Sequence, residues 1–315
     1  MNNIDISVIM PAWKSEAFIA KAIASVQAQQ GVAFELIIVD DASPDDTRLA
    51  IESAAAGDDR IIYDRLPENM GPSGARNRAI ELARGDFIAV LDDDDLIAPT
   101  RLATMLAAAR THNADIIVDN MRPIYPPATE PTAERFLDIP LDAPARQITL
   151  RDYIDPETEA ELGQGLGYLK PLFRKATLDR LELRYDEALR NSEDFYLVAE
   201  MLALDCNMVL IPEADYFYTI RTGSLSYRLS TAYAAAIVSA ERSFRARFAK
   251  GFDAPTARAS RRQLKQRLDY LAFAKLVDAL KGKNPIALVK VAASHPRSIP
   301  YMLANLIGIA ARKLR

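Results

Sequence analysis

One cysteine, two histidines and one tryptophan are all that 315 residues provide of these types. The lone Cys206 excludes an intramolecular disulfide and a thiolate metal centre. Its neighbours Leu204 and Val209 mark it as a small buried hydrophobe rather than a nucleophile. With only His112 and His295 available, catalysis has to rest on carboxylates and arginines. Glycine is sparse too, with 12 residues, and no P-loop signature occurs. The loop after the first apolar run reads PAWKS, which excludes the glycine-rich dinucleotide fingerprint. No run reaches the roughly 18 apolar residues of a spanning helix. The opening residues MNNIDISVIMP lack the basic segment and long apolar core of a signal peptide. The expectation is a cytoplasmic protein.

What is present is a globular composition, 50% apolar and 26% charged, on a chain long enough for one large domain or two modest ones. Charge is divided unevenly. Residues 256–315 carry 13 Lys/Arg against 2 Asp/Glu, a balance of +11, while the whole chain stands at −4. An acidic body with a basic tail is not the pattern of a nucleic-acid-binding protein. It fits a face held against anionic lipid.

The densest feature is the stretch Phe87–Leu96, FIAVLDDDDL. Phe87 to Leu91 read as a buried strand. Four carboxylates, Asp92 to Asp95, follow at once; they repel one another and lose hydration if buried. A fold tolerates that where a cation sits. Oxygen ligands ending a strand suit Mg²⁺ or Mn²⁺, with phosphates completing the shell. A solvated acidic turn is the plain alternative.

Strands and helices alternate around this stretch. Ile4–Met10 reads as a strand ended by Pro11, and residues 16–29 as a helix capped by Ser15. Phe34–Val39 is a second strand ending in Asp40-Asp41, followed by a helix over Thr47–Ala55 and a short strand, Ile61–Tyr63. A helix over Ser73–Ala83 starts after the Gly71-Pro72 turn. Pro99 opens a helix to about Arg110, and Ile116–Val118 is the next strand. Such alternation makes an α/β protein with a mostly parallel sheet flanked by helices, whose ligands bind beyond the carboxyl ends of the strands. Six prolines crowd residues 123–149, which read as a long loop over the sheet. Residues 163–175, GQGLGYLKPLFRK, carry three glycines and then a cationic cluster. Residues 191–204 read as a helix with Asn191 or Ser192 as its cap. Glu193 and Asp194 fall in its first turn, where a capping role alone would suit them. Val209–Ile211 begins another extended piece that leads to the polar segment Arg221–Ser226. From about residue 231 the chain is helical, chiefly over Tyr233–Phe248 and Leu264–Leu280.

Four segments carry a resemblance: SVIMPAW at 7–13, IIVDDASPDDT at 37–47, NMGPSGARN at 69–77 and VLDDDDLIAPTRL at 90–102. In this order and spacing the chain resembles the family 2 glycosyltransferases, above all the bacterial exopolysaccharide enzymes of succinoglycan type. The resemblance is strong over residues 5–120, extends to about 226 and fades beyond. It implies the GT-A fold over residues 1–228, with 1–120 as the nucleotide-sugar half and 121–228 as the acceptor half. Residues 229–315 then form a helical, basic extension. It also implies a metal-dependent inverting transferase that uses Mg²⁺ or Mn²⁺. That enzyme would move one sugar from a UDP-sugar to a hydroxyl of a lipid-linked saccharide in exopolysaccharide biosynthesis. UDP-glucose leads the candidate donors; galactose, N-acetylglucosamine and glucuronic acid stay open.

Under this resemblance Pro11 and Ala12 line the nucleoside pocket, Asp41 accepts a hydrogen bond from uracil, and Asp40 shapes that pocket. Gly71, Arg76 and Asn77 form a loop closing over the nucleotide. Asp92, Asp93 and Asp94 cover the DxD position. Asp94 is the favoured metal ligand, and Asp92 lies nearer the ribose and sugar as a second metal candidate. Four consecutive aspartates leave this register ambiguous by one place. The base is the aspartate of a late Glu-Asp pair, Asp194, with Glu193 its close rival. The chemistry agrees: charge builds on the departing diphosphate, which a divalent cation stabilises, and a positioned carboxylate takes the acceptor proton. One base without a covalent intermediate inverts the anomeric carbon. Arg221 stands where members of the family often have a histidine, and the QxxRW motif of processive polymerases is absent, which favours one sugar per encounter. A nucleotidyltransferase is a rival reading, opposed by the missing glycine-rich triphosphate loop. A non-catalytic scaffold of the same fold is another, opposed by the intact carboxylates.

The end of the chain, Ile299–Arg315, is apolar and then basic. One reading places it in the cytoplasmic interface of the membrane, as a peripheral anchor. The other packs it on the rest of the chain or on a second copy, as in a homodimer.

Overall fold

A computed structural model describes residues 4–221 and 229–313, with the side chains of 308–313 outside the description. The expected polar segment Arg221–Ser226 therefore lies outside the described residues beyond Arg221. So do Leu314 and Arg315. The chain divides into two compact units, Met1–Tyr153 with Glu157–Thr222, and Ile154–Pro156 with Gly223–Arg315.

The first unit begins β1 (Ile6–Ala12), α1 (Ile19–Gln27), β2 (Phe34–Asp40), α2 (Thr47–Ala55), β3 (Ile61–Arg65), α3 (Gly71–Leu82) and β4 (Phe87–Val90). It continues with β5 (Leu96–Ile97), α4 (Arg101–Thr111), β6 (Ile116–Ile124), β7 (Arg146–Ile148), α5 (Leu150–Ile154) and α6 (Pro156–Leu162), the last residue of α5 and the first of α6 being counted with the second unit. It closes with β8 (Leu172–Arg174), α7 (Lys175–Arg180), α8 (Glu193–Ala203) and β9 (Met208–Thr219). The strands form one sheet in the order β3-β2-β1-β4-β8-β6-β9-β5, with β7 on β9.

The parallel expectation holds for β3-β2-β1-β4. Beyond β4 the sheet is mixed, because β8 inserts antiparallel between β4 and β6. Strand β8 is drawn from the segment read only as glycines and a cationic cluster. Its apolar pair Leu172-Phe173 is too short to announce a strand, and pairing on both sides stabilises it. The buried strands β1 and β2 are nearly continuous apolar runs, as strands covered on both faces must be. Their polar exceptions are paired: Ser7 Oγ donates to Glu35 Oε1 at 2.7 Å, and Arg84 donates to Glu35 Oε2 through Nε and Nη2 at 2.8 and 2.6 Å.

Several boundaries move for physical reasons. Strand β1 continues through Pro11, which pairs in register with Val39. Pairing with β4 stops at Ile9, so nothing on that side needs the N–H that proline lacks. Helix α1 starts at Ile19, not after Ser15; the Ser15 carbonyl accepts from Phe18 and Ile19 N–H at 3.0 Å, and its side chain is used elsewhere. Pro99 lies two residues before α4, in a turn where Arg101 N–H donates to the Ala98 carbonyl. Strand β6 reaches Ile124, and β7 interrupts the proline-rich stretch at Arg146.

The second unit is helical: α9 (Thr231–Phe248), α10 (Ala254–Lys281), α11 (Pro285–Ser294) and α12 (Ile299–Lys313). Ser230, Asp253 and Asn284 cap the first three, each accepting a backbone N–H in the first turn. Proline follows at the start of α10 and α11, where its missing N–H costs nothing. Ala234 and Val238 of α9 pack on Leu271 and Ala274 of α10. The other side of α10 meets Val291 of α11 and Met302 of α12 through Ala272 and Phe273. Among the described residues no helix is long and apolar enough to cross a membrane.

Candidate active site

The chain passes from β1 to β2 and β3 on one side and then returns to β4 on the other. This reversal is a switch point beyond the carboxyl ends of β1 and β4, the place where open α/β sheets bind ligands. Ala12, Trp13 and Ser15 leave β1 at this point, and Asp92 to Asp95 leave β4. The two ends are tied together. Asp93 Oδ2 accepts from Trp13 N–H at 3.2 Å and from the Ser15 hydroxyl.

The four aspartates have separate environments. Asp95 is buried; its carboxylate accepts from the Tyr216 hydroxyl at 2.6 Å and from Thr219 N–H at 2.8 Å, tying the turn to β9. Asp92 accepts from Arg76 Nη2 at 2.7 Å and from Lys170 Nζ at 2.8 Å. Burial opposes its charge, but Lys170 and Arg76 hold its carboxyl well below the usual range. Asp93 is pushed up to about 7 by burial and the neighbouring Asp94 charge. Asp94 pairs with Arg221 Nη2, and burial still leaves it raised against that pull. The Arg221 guanidinium also lies 4.0 Å from the ring centre of Phe18.

On the far side of Arg76 stands the Glu-Asp pair. Arg76 is 3% exposed; its Nη1 donates to Glu193 Oε1 at 2.6 Å and lies 3.6 Å from Asp194 Oδ1. Lys170 Nζ bridges Asp92 Oδ2 and Asp194 Oδ2, the latter at 3.0 Å. Burial works against the Lys170 ammonium, yet Asp194 and Asp92 hold it above its ordinary value. Burial likewise opposes the Asp194 charge, but Arg76 and Lys170 keep its carboxyl lowered. Glu193 goes the other way, raised by burial despite Arg76. Asp194 Oδ1 is buried outside the Lys170 ion pair, and the buried Tyr185 hydroxyl interacts with the same carboxylate. Helix α8 presents this pair in its first turn. Ser192 stands at the cap with φ +66°, but its hydroxyl donates to Asn191 Oδ1 and caps nothing.

A second set of paired groups is built from the end of β2 and the start of α3. Asp40 is fully buried, accepting from Ser43 N–H at 2.8 Å and from Arg65 Nη1 at 2.6 Å. Asp41 accepts from Met70 N–H at 2.6 Å and Gly71 N–H at 2.8 Å, so it caps α3 from a distant strand end. Burial raises its carboxyl against those bonds. Gly71 has φ +81°, and a Cβ there would overlap the Arg190 guanidinium, which donates to Asn69 Oδ1 at 2.8 Å.

The expected loop of Gly71, Arg76 and Asn77 is instead helix α3, nucleated by that Asp41 cap. Within it Arg76 turns to the carboxylates. Asn77 donates to the Tyr185 carbonyl and to Glu187, and accepts from Tyr185 N–H, bracing the segment before α8. Pro11 and Ala12 are the last two residues of β1.

Sequence reasoning missed three members. In the sequence Lys170 is one of a cationic cluster with Arg174 and Lys175, and nothing local sets it apart. Ser15 reads from sequence as a helix cap, and its hydroxyl instead donates to Asp93. Arg101, fully buried, donates to Asp119 at 2.9 and 2.7 Å and to the Lys170 carbonyl at 2.7 Å, and stacks on Tyr216. It fixes the backbone that carries Lys170.

Among the described residues no three His, Cys, Asp or Glu side chains form a ready metal cluster. The donor set nevertheless fits a hard divalent cation completed by phosphates. It is oxygen-only. Asp92, Asp94, Glu193 and Asp194 share three cations, Arg76, Lys170 and Arg221, while Asp93 and Asp95 have neutral donors, and burial together with neighbouring carboxylates raises Asp93 and Asp94.

The pattern described as Glycosyl transferase family 2 matches residues 7–174. Succinoglycan biosynthesis protein ExoO of Rhizobium meliloti (strain 1021) is 34% identical over 98% of this chain and 88% of its own length. ExoU of the same organism is 31% identical over 99% and 89%. Over 35% of this chain and 36% of its own length, a GalNAc(5)-diNAcBac-PP-undecaprenol beta-1,3-glucosyltransferase of Campylobacter jejuni is 36% identical. Among solved structures, S. aureus TarS 1-349 in complex with UDP-GlcNAc is similar with a TM-score of 0.60 at 20% identity, covering 93% of this chain and 92% of that one. A mannosyltransferase from Pyrobaculum calidifontis in complex with GDP-Man and Mn²⁺ has a TM-score of 0.58 at 17% identity, over 100% and 88%. These likenesses fix the fold as GT-A.

Proposed function

The chain belongs to glycosyl transferase family 2, and from that premise we propose that it moves one sugar from a UDP-sugar, UDP-glucose first, to a hydroxyl of a lipid-linked saccharide in exopolysaccharide biosynthesis, inverting the anomeric carbon. The carrying observation is Asp194: a buried carboxylate held in its charged form, with Oδ1 outside the Lys170 ion pair, linked through Lys170 to Asp92 at the switch point. A carboxylate in that state can take the proton of an attacking hydroxyl. Glu193 is the rival; its Oε1 already accepts from Arg76.

The nucleoside lies against Pro11 and Ala12, and Asp41 keeps a second lone pair on each oxygen to accept from a ring N–H. Asp40 braces that wall through Arg65. Arg76 and Lys170 fix Asp92 toward the sugar, and Arg221 holds phosphate oxygens, bidentately where geometry allows. Asp94 and Asp92 would hold Mg²⁺ or Mn²⁺, which when bound neutralises charge on the departing diphosphate. Asp93 fastens this turn to Trp13 and Ser15. Asp194 Oδ1 accepts the acceptor proton, and no residue forms a bond to the sugar. Release after each transfer and work at the cytoplasmic face of the membrane complete the reading.

The test is a screen of labelled UDP-sugars with a lipid-linked acceptor, with the new linkage assigned by NMR. One UDP-sugar should give a single addition of inverted configuration. A retained configuration, or no turnover with any UDP-sugar, overturns the reading.

A further inference from the structure

We propose that the outer faces of α11 and α12 dock on an anionic lipid surface. This deepens the reading of a lipid-carried acceptor and rests on it for its purpose, though not for its evidence in the fold.

Six large apolar side chains, Leu280, Ile286, Val289, Ile299, Leu303 and Ile307, are exposed within 28 residues. They make up half of the exposed large apolar and aromatic residues among those described. Scattered exposed hydrophobics need no explanation, but a concentration of them does. Their spacing is regular. Ile286 and Val289 are three residues apart on α11, and Ile299, Leu303 and Ile307 recur every four on α12, so each set lines one helix face. Val291 and Met302 of the same helices turn inward onto Phe273. Ile286, Val289 and Ile307 are each more than 65% exposed, so these faces are not a buried core seen edge-on.

The charge around them has one sign. Residues 281–315 contain seven Lys/Arg and no Asp or Glu. Lys281, Lys283, Lys290 and Arg297 are exposed, and none has an ion-pair partner among the described residues. An ordinary solvated surface mixes both signs. Apolar side chains with unpaired cations beside them match the two layers of a membrane interface, acyl boundary and anionic headgroups. A helix of 15 residues such as α12 is too short to span and suits lying in that interface. An isologous dimer through this face would set its positive charges against their own copies, which disfavours a second chain as the occupant.

The test uses the full chain without any sugar donor. Sedimentation is measured with phosphatidylcholine vesicles, pure or containing about a third phosphatidylglycerol, at low and high salt. The protein should pellet with the anionic vesicles at low salt and stay in the supernatant with the neutral ones. Converting Lys281, Lys283 and Lys290 to Gln should weaken binding roughly 100-fold, at about fivefold for each cation. L303E/I307E should abolish it, with circular dichroism unchanged. Both variants should still bind UDP as the parent does. Pelleting that ignores lipid charge, or that survives both variants, overturns the proposal. So does a dimer dissolved by L303E/I307E in a protein that never pellets. If no vesicle binds but UDP does, docking fails and the transferase reading stands. If vesicles bind but no UDP-sugar is turned over, the reverse holds.

Discussion

Lys170→Met removes the cation between Asp92 and Asp194 while keeping much of the side-chain volume. Lys170 is 8% exposed, so water cannot replace it. Asp92 keeps Arg76 at 2.7 Å, but the one cation left to Asp194 is the same arginine at 3.6 Å, with the neutral Tyr185 hydroxyl beside it. Removing one partner of a buried ion pair costs about 3–5 kcal/mol, since the other charge is left uncompensated. For a unit of this size that corresponds to a fall in Tm of roughly 6–20 °C. The pH dependence gives the sharper check. In the parent the Asp194 carboxyl is lowered, so its contribution is present above the unfolded carboxylate range and lost as pH falls through the folded value. In the variant burial dominates and raises it instead. The neutral acid then suits the fold, and the deficit grows as pH climbs through the raised value. The variant should be furthest from the parent at pH 7 and above and converge on it steadily as the pH falls through 4. The single Trp13 lies in the first unit, so its fluorescence during urea unfolding follows that unit. A variant as stable as the parent at neutral pH, or one whose deficit widens toward acid, would refute the reasoning.

Asp194→Asn keeps the shape and removes the base; turnover should fall roughly 10²–10⁴-fold with UDP affinity nearly unchanged. The same loss in Glu193→Gln, with Asp194→Asn active, would move the base by one residue. Asp94→Ala should cut activity about 100-fold or more. In the parent, calorimetry should show UDP binding weakened by EDTA; equal affinity with and without the chelator would remove the metal from the reading. Gly71→Ala forces a left-handed φ on alanine and overlaps Arg190, which should cost about 1–3 kcal/mol and loosen the Asp41 cap. An unchanged Tm would mean that α3 can shift without strain.

The sequence by itself determined the α/β alternation, because near-continuous apolar runs such as FELIIV and FIAVL end in carboxylates where the chain must leave the sheet. It also singled out Asp92 to Asp95, since crowded like charges demand a reason, whereas Glu193-Asp194 stands out from an ordinary helix start only through the family resemblance. It left the register of the four aspartates open. Only tertiary structure separates them: Asp95 is engaged by Tyr216 and Thr219, 121 and 124 residues away, while Asp94 faces Arg221. Local pattern cannot carry such information, because hydrogen bonds across the sheet depend on which strands become neighbours. The same holds for β8, whose three residues have no period to read and are fixed by β4 and β6 on either side. Lys170 rides on that strand's approach, and its chemistry exists only once the fold sets it between two carboxylates from separate segments. In the tail, sequence supplied the charge and the apolar residues, but a helix hydrophobic on most of its circumference does not say which side is buried. Packing on Phe273 decided that, by turning Met302 inward and leaving Leu303 and Ile307 in water.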